Sequence, residues 1–131
     1  MPETFQLQVV TPGRIFFEGE ADFVEIKTGE GRVGIYAGHE PTTILLDPGV
    51  LLIRSGTEVK KAALHTGFAE ILPEKISIVA EIAEWPDEID KNRAEEARIR
   101  AKRKLETGEE RSILQAELAL RKALARLEAL K

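Results

Sequence analysis

The amino-acid sequence changes character at Pro86. All 6 prolines, all 7 aromatic residues and 9 of the 10 glycines lie at or before this position, whereas the remaining residues are mostly Ala, Leu, Glu, Arg and Lys. Aromatic residues favour strands, Gly and Pro favour turns, and the residues of the second part are strong helix formers. The sequence therefore predicts two domains, a β domain over residues 1–86 and a helical domain over residues 87–131.

Short apolar or alternating runs recur along the first part, about every 8 to 12 residues. They lie at residues 5–9, 15–17, 23–27, 33–36, 44–46, 50–53, 59–64, 68–72 and 76–82. Turn residues separate these runs, as at Asp47-Pro48-Gly49 and Ser55-Gly56. This spacing predicts an N-terminal antiparallel β-sandwich or a flattened barrel.

The second part has the period of α-helices. Asp90 is placed to cap the first helix, with Ile89 as its hydrophobic staple, and this helix is expected to end near Leu105, before Gly108. A second helix then extends toward Lys131. Because the connection is short, the two helices should form a C-terminal antiparallel two-helix hairpin.

The hairpin has a narrow apolar face on its first helix and a wide one on its second. The face of the first helix consists of Ala94, Ala97 and Ala101. The face of the second helix consists of Ile113, Leu120, Leu124 and Leu127. Two short helices bury little surface by themselves. The hairpin therefore needs support from the sandwich or from a partner, and two stable positions are conceivable for it.

Few residues are available for catalysis or metal binding. The chain has no cysteine and only two histidines, which excludes disulfides and thiolate chemistry and disfavours a zinc site. His65 shares a strand face with Lys61 and Ala63, opposite Ala62 and Leu64, so it is expected to face solvent. The sequence brings together no nucleophile, base and orienting group, and we expect no enzymatic activity from this chain.

Composition and charge restrict the partners. No apolar run approaches the ~20 residues of a membrane-spanning helix, and the N-terminus lacks the pattern of a signal peptide, so we expect a soluble or peripheral protein. The 7 basic and 13 acidic residues up to Pro86 give −6, and the 12 and 10 beyond it give +2, for a net charge of −4. This balance disfavours a general nucleic-acid binder.

Two arginines of the first predicted helix suggest a ligand site. Arg93 and Arg100 lie about 20° apart around the helix and border the arc of Asp90, Ala97 and Ala101. Guanidinium groups beside a flat alanine surface and a carboxylate suit a phosphorylated, planar ligand. The alternative from the pattern alone is an ordinary solvated face with salt pairs between helix turns.

Several short segments form an ordered set of motifs. Residues 31–41 (GRVGIYAGHEP) are similar to G-x-x-G-I-x-P-G-H-x-P, and residues 89–94 (IDKNRA) to the helix start I-D-x-x-R-A. The others are residues 47–49 (DPG), 67–71 (GFAEI), 78–84 (IVAEIAE) and 116–120 (AELAL). In this order they resemble the epsilon subunit family of the bacterial F-type ATP synthase, over essentially the whole chain.

The resemblance implies a noncatalytic rotor component of a proton-translocating ATP synthase, peripheral on the cytoplasmic side of the cell membrane. The sandwich would bind the gamma subunit and the c-ring, and it would contact the membrane only through the c-ring. Glu30, Gly31 and Arg32 would meet the c-ring loops, and His39 would lie near gamma. Nucleic acid is not an expected partner.

The resemblance also implies that the hairpin either folds down on the sandwich or extends along gamma toward the alpha and beta subunits, where it inhibits ATP hydrolysis. Arg111, Lys122 and Arg126 fall within about 60° of one another around the second helix. Such a face suits the acidic loops of a partner, which the resemblance identifies as the beta subunit.

In some family members the folded-down hairpin binds ATP, a regulatory ligand in a protein that requires no cofactor. The residues carried over by motif are Glu84, Ile89, Asp90, Arg93, Ala94, Arg100, Lys122 and Arg126. Lys122 stands where nucleotide-binding members tend to have a second arginine, so a point charge replaces a bidentate fork.

The sequence therefore predicts a subunit that couples the c-ring to gamma and restrains ATP hydrolysis, with ATP sensing as an added property. One alternative is a free-standing nucleotide-binding sensor, in which the arginine arc is the main function. Stable co-purification with a gamma-type subunit would separate the two. A weaker alternative is a helical nucleic-acid-binding module, which would show a strongly salt-dependent affinity for DNA or RNA.

Overall fold

The computed structural model describes residues 3–108 and 110–131, without the side chains of residues 110 and 111. The strands are β1 (Phe5–Thr11), β2 (Arg14–Ala21), β3 (Phe23–Thr28), β4 (Gly31–Tyr36), β5 (Thr42–Leu46), β6 (Gly49–Ser55), β7 (Glu58–Leu64), β8 (Gly67–Ile71), β9 (Lys75–Ala80) and β10 (Ala83–Glu84). A 3-10 turn (Pro86–Glu88) leads to helices α1 (Lys91–Thr107) and α2 (Glu110–Ala129).

The strands form two five-stranded sheets. The order is β2-β1-β9-β8-β5 in the first sheet and β10-β7-β6-β3-β4 in the second. Neighbouring strands are antiparallel, except that β1 and β9 pair in parallel. The predicted antiparallel β-sandwich is confirmed, with this one parallel pair inside the first sheet.

Alternation along the strands places one face of each sheet in a common apolar core. On β1, Phe5, Leu7 and Val9 are buried, while the residues between them remain exposed or half-buried. Val24 and Ile26 of β3 fill the same core from the second sheet. Side chains of a strand point alternately to its two faces, which is why the apolar pattern of the sequence locates these strands.

A charged pair and a glycine fix the turn between β6 and β7. Asp22 accepts hydrogen bonds from the Nε of Arg54 (2.7 Å) and from the backbone N–H of Gly56 (2.6 Å). These two donors lower the pKa of the Asp22 carboxyl. Gly56 has a φ of +63°, a conformation that glycine adopts without steric cost.

The two helices begin and end much as the sequence predicts. Asp90 caps α1, because its Oδ1 accepts a hydrogen bond from the backbone N–H of Arg93 at 3.1 Å. The helix continues to Thr107, two residues past the predicted end, and Gly108 follows it with an ordinary φ of −83°. The first turns of α1 and the last turns of α2 line one cavity, so the hairpin is antiparallel.

The second helix buries four of its five alanines rather than its large apolar residues. Ala116, Ala123, Ala125 and Ala129 are buried, whereas Leu124 is 47% exposed. The other members of the predicted wide face are half-buried: Ile113, Leu120 and Leu127. The wide apolar face of α2 is thus only partly buried, because the small residues are the ones that let α2 approach its neighbours closely.

Helix α2 lies across the outer face of the second sheet. Its Ala129 joins Val50 and Ala63 in a small buried cluster, with Ile89 packed against it, separate from the main core. Among the described side chains, three ion pairs also join α2 to the sandwich, namely Arg126 with Glu84 (2.6 Å), Arg121 with Asp47 (3.7 Å) and Lys122 with Glu81 (3.9 Å). The hairpin is thus folded down on the sandwich.

Candidate functional site

A cavity of about 350 Å³ lies where β10, the 3-10 turn and both helices meet. It is lined by Glu84, Glu88, Ile89, Asp90, Arg93, Ala94, Glu96, Ala97, Arg100 and Arg126. Because these residues come from the sandwich and from both helices, the cavity requires the folded-down hairpin.

Arg93 and Arg100 lie on one face of α1, because seven residues make almost two full helical turns. Both are exposed, and within the described part of the chain neither guanidinium forms an ion pair. Ala94 and Ala97 provide a low surface beside them. Unpaired guanidinium groups next to a flat apolar surface can bind phosphate oxygens and a planar ring together.

Two of the cavity's carboxylates are already paired with arginine. Arg126 Nε donates to Glu84 Oε1 at 2.6 Å, and Arg14 donates two hydrogen bonds to the Glu88 carboxylate at 2.8 and 2.7 Å. Arg14 also lowers the pKa of Glu88. Glu84 and Glu88 are therefore paired with Arg126 and Arg14, which leaves the two arginines of α1 available to an anion.

Two carboxylates of the cavity remain, Asp90 and Glu96, and Asp90 lies at the start of α1. Its Oδ1 caps the helix by accepting from Arg93 N, and its second oxygen keeps its capacity to accept a hydrogen bond. A ribose hydroxyl or a base amino group is a suitable donor for that oxygen. The cavity thus combines donors for phosphate with an acceptor for the rest of a nucleotide.

The structure brings together seven of the eight predicted ATP-binding residues. They are Glu84, Ile89, Asp90, Arg93, Ala94, Arg100 and Arg126. Lys122 is not among the lining residues, because its Nζ points to Glu81 Oε1 at 3.9 Å. Sequence reasoning missed Glu96 and Glu88. Helical spacing from Arg93 could have found Glu96, whereas Glu88 depends on a contact with Arg14 from a distant strand.

His65 is the main correction to the sequence analysis. It lies directly after β7, where charged residues of α2 face it, and its side chain is fully buried. Its Nε2 lies 3.7 Å from Glu84 Oε1. The pKa of His65 is lowered to about 4, first by burial and second by the nearby positive charge of Arg126. The expected solvent exposure was wrong because the covering helix lies far along the chain.

The turn predicted to meet the c-ring connects β3 and β4. Glu30 is exposed at its tip, and Gly31 has a φ of +119°. Arg32 bonds to the Glu25 carboxylate and donates to the backbone carbonyl of Val50 at 2.9 Å. These contacts of Arg32 hold the turn in place at one end of the second sheet.

The other predicted partner residues have different surroundings. His39 is half-buried, with its Nδ1 2.7 Å from the carbonyl oxygen of Glu40. Lys122 and Arg126 are occupied by sandwich carboxylates. The side chain of Arg111 lies outside the described residues. In the folded-down hairpin, Lys122 and Arg126 thus face the sandwich and not a partner.

An apolar row crosses the outer face of the first sheet. The strand registers place Ile15, Val10, Val79, Phe68 and Leu45 side by side on β2, β1, β9, β8 and β5. Leu45 is 77% and Ile15 62% exposed. A continuous row of this kind on an exposed sheet indicates an interaction surface.

Two protein-family models together match nearly the whole chain. The β-sandwich domain of the ATP synthase delta/epsilon chain matches residues 4–86, and its long α-helix domain matches residues 87–131. The chain belongs to the ATP synthase delta/epsilon family. It is 43% identical over 129 residues to the ATP synthase epsilon chain of Clostridium novyi, covering 98% of each chain. The epsilon chain of Ruminiclostridium cellulolyticum is 40% identical over 127 residues, 96% of this chain and 95% of its own.

Solved structures share the fold of this epsilon chain. A chain of the Euglena gracilis mitochondrial ATP synthase assembly of OSCP, F1 and c-ring superposes with a TM-score of 0.86 at 27% identity, over 98% of this chain and 82% of that one. A chain of the Tetrahymena thermophila enzyme gives a TM-score of 0.65 at 15% identity, covering 97% and 96%, and shows the fold alone.

These matches identify the chain as an epsilon chain, a central-stalk subunit of the F-type ATP synthase. Membership in this family implies a noncatalytic role. Among the residues that the structure describes, no helix is long and apolar enough to cross a membrane.

Proposed function

We propose that this chain couples the c-ring to gamma in a proton-translocating F-type ATP synthase and restrains ATP hydrolysis through its hairpin. The observation that carries the proposal is the match of both family domains over residues 4–131, together with a similar structure in an assembly of F1 and c-ring. The proposed partners are gamma, the c-ring, and the alpha and beta subunits, with the sandwich (residues 1–86) as the docking domain and the hairpin (residues 87–131) as the regulatory one.

The sandwich offers two surfaces for the rotor. The apolar row on the first sheet is suited to gamma, because burying Leu45, Phe68 and Ile15 removes exposed apolar surface from water. The β3–β4 turn, with Glu30 at its tip, is suited to the polar loops of the c-ring. The apolar row lies on the first sheet, whereas α2 packs on the second, so the sandwich can stay on gamma while the hairpin moves. Arg32, next to the turn, does adjoin the hairpin, because it lines a pocket with Arg121 and Glu128 of α2.

The contacts that hold the hairpin down favour reversible docking. The apolar part is the small cluster of Val50, Ala63 and Ala129, with Ile89 beside it, and it is separate from the main core. The ion pairs around it are partly exposed and contribute about 0–1 kcal/mol each. An interface of this size can open without unfolding either domain.

The pivot for this motion falls at residues 89 and 90. Before it, Trp85 stacks on Phe16 with ring centroids 4.2 Å apart, and Glu88 is held by two hydrogen bonds from Arg14. After it, Asp90 caps α1 and begins a rigid helix. The chain up to Glu88 therefore stays with the sandwich, and rotation about a few backbone angles would swing the hairpin.

ATP is the proposed regulatory ligand of the folded-down form. Arg93, Arg100 and Arg126 of the hairpin line one cavity with Glu84 and Glu88, which stay with the sandwich, so the cavity is complete only while the hairpin is folded down. A ligand that binds one position of a moving element stabilises that position. High ATP would then keep the hairpin down and low ATP would allow it to extend toward the catalytic subunits.

Deletion of the hairpin in the assembled enzyme tests the proposal. A chain that ends at Glu88 keeps the contacts of Arg14 and Trp85 and removes the moving part. The expected result is normal assembly with faster ATP hydrolysis than the full chain gives at low ATP. Equal hydrolysis with and without residues 89–131 would contradict the inhibitory role, and failure to assemble would contradict docking through the sandwich alone.

A further inference from the structure

His65 is a buried ionisable side chain between the sandwich and the hairpin. It follows β7 and lies near Glu84, whose register partner Ala63 packs in the interface cluster with Ala129 of α2. Its exposed fraction is 0%, and within the described part of the chain neither ring nitrogen has a hydrogen-bond partner. A buried polar group without partners is costly, so its position calls for an explanation beyond packing.

Two carboxylates and two cations lie near the imidazole, at Glu84, Glu81, Arg126 and Lys122. Glu84 of β10 lies 3.7 Å away, and Glu81 follows β9. Arg126 and Lys122 face it from α2, and each is paired with one of these carboxylates. The four charges balance while the imidazole is neutral. A proton on His65 adds an unbalanced positive charge beside two cations.

We propose that His65 is a proton-sensitive release for the hairpin, because the imidazole must stay neutral while α2 covers it and proton uptake favours the undocked position. Undocking removes Arg126 and Lys122 from the imidazole and opens it to water. The inference rests on the hairpin movement of the proposed function and adds a second signal to it. Protons would act in the direction opposite to ATP at the same interface.

The sign and size of the effect follow from the two states. Burial and Arg126 hold the pKa of His65 at about 4 when the hairpin is docked, and the solvated side chain has its ordinary 6.5. The contribution of the neutral imidazole to docking is therefore complete above pH 6.5 and is lost as the pH falls toward 4. Between pH 7.5 and 5.5 the ratio of docked to undocked hairpin should fall about 10-fold.

The absence of cysteine in the chain allows a direct measurement. Thr57→Cys in the exposed β6–β7 turn and Lys131→Cys at the end of the hairpin place two fluorophores on the isolated full-length chain. Single-molecule energy transfer then gives the docked and undocked populations from pH 7.5 to 5.5. The same measurement is made with His65→Gln and with His65→Ala, and with His39→Gln as the matched control at the other histidine.

The expected result is a docked fraction that falls with pH in the parent and in His39→Gln, but is flat in at least one folded His65 variant. Two populations with a pH-independent ratio, or an unchanged pH response in the His65 variants, would overturn the inference and leave the moving hairpin in place. A single docked population under all conditions would overturn the hairpin movement itself, and the inference with it.

Titration of the parent imidazole by NMR provides a check that needs no substitution in the site. Its midpoint should lie at least one pH unit below 6.5 in the docked chain. A midpoint at the ordinary value would show that docking does not oppose protonation, and it would overturn the inference.

Discussion

Replacing Arg93 with alanine should weaken ATP binding without loosening the hairpin. The Arg93 side chain is exposed and has no ion pair within the described residues, and the bond that caps α1 uses its backbone N–H, which alanine retains. The change therefore removes only a contact to the ligand. A hydrogen bond to a charged group contributes roughly 1.5–3 kcal/mol, so the dissociation constant for ATP should rise roughly 10- to 150-fold.

Calorimetric titration of the isolated chain with ATP measures this effect. Arg98→Ala is the matched control, because Arg98 belongs to the same helix but pairs with Glu95 and lines a different cavity. Its affinity should stay within about twofold of the parent value. Equal affinities of the parent and Arg93→Ala would remove Arg93 from the site. Absence of ATP binding by the parent would remove the site altogether.

Three further predictions concern the sandwich. Gly67→Ala should lower the free energy of unfolding by about 3 kcal/mol or more in urea, since its Cβ would lie 2.0 Å from the Val79 carbonyl oxygen, whereas Gly13→Ala, with open space around it, should have little effect. Asp22→Asn should lower the Tm at pH 7, and the difference from the parent should shrink as the pH falls below 3.8, because protonation of the parent carboxylate removes its contribution. A chain ending at residue 88 should fold and bind gamma; a folded fragment that fails to bind would contradict our choice of docking domain.

The strands could be predicted from the sequence because burial on one face imposes alternation and because turn residues separate the runs. The parallel pairing of β1 with β9 could not be predicted, because the alternation of buried and exposed residues is the same in parallel and antiparallel strands. The two residues of β10, Ala83 and Glu84, are too few to form a pattern. They matter because they place Glu84 beside Arg126.

The candidate site was predicted mainly through the helix start at residues 89–94 and through helical spacing, both of which are local. What could not be predicted depends on contacts between distant segments. His65 was assigned to solvent because strand alternation gives the face of a residue but not what covers that face. Lys122 was assigned to the cavity by motif, but Glu81 attracts it in the folded chain. The burial of alanine rather than leucine on α2 reflects the close approach of this helix to the sheet, which only the folded structure shows.

A reversible lock on the hairpin gives the most direct test of the account. Ala63→Cys and Ala129→Cys place two small thiols in the buried interface cluster of a chain that has no other cysteine. Oxidation joins the two thiols in a disulfide, and reduction opens it again. ATP hydrolysis by the assembled enzyme is measured at low ATP in both forms, and the single variant Ala129→Cys is the control for thiols of the other subunits. The account predicts that the locked hairpin raises hydrolysis to the level of the chain ending at Glu88, and that reduction restores inhibition. Hydrolysis that remains equally inhibited with the hairpin locked down would contradict the claim that the hairpin must leave the sandwich to act.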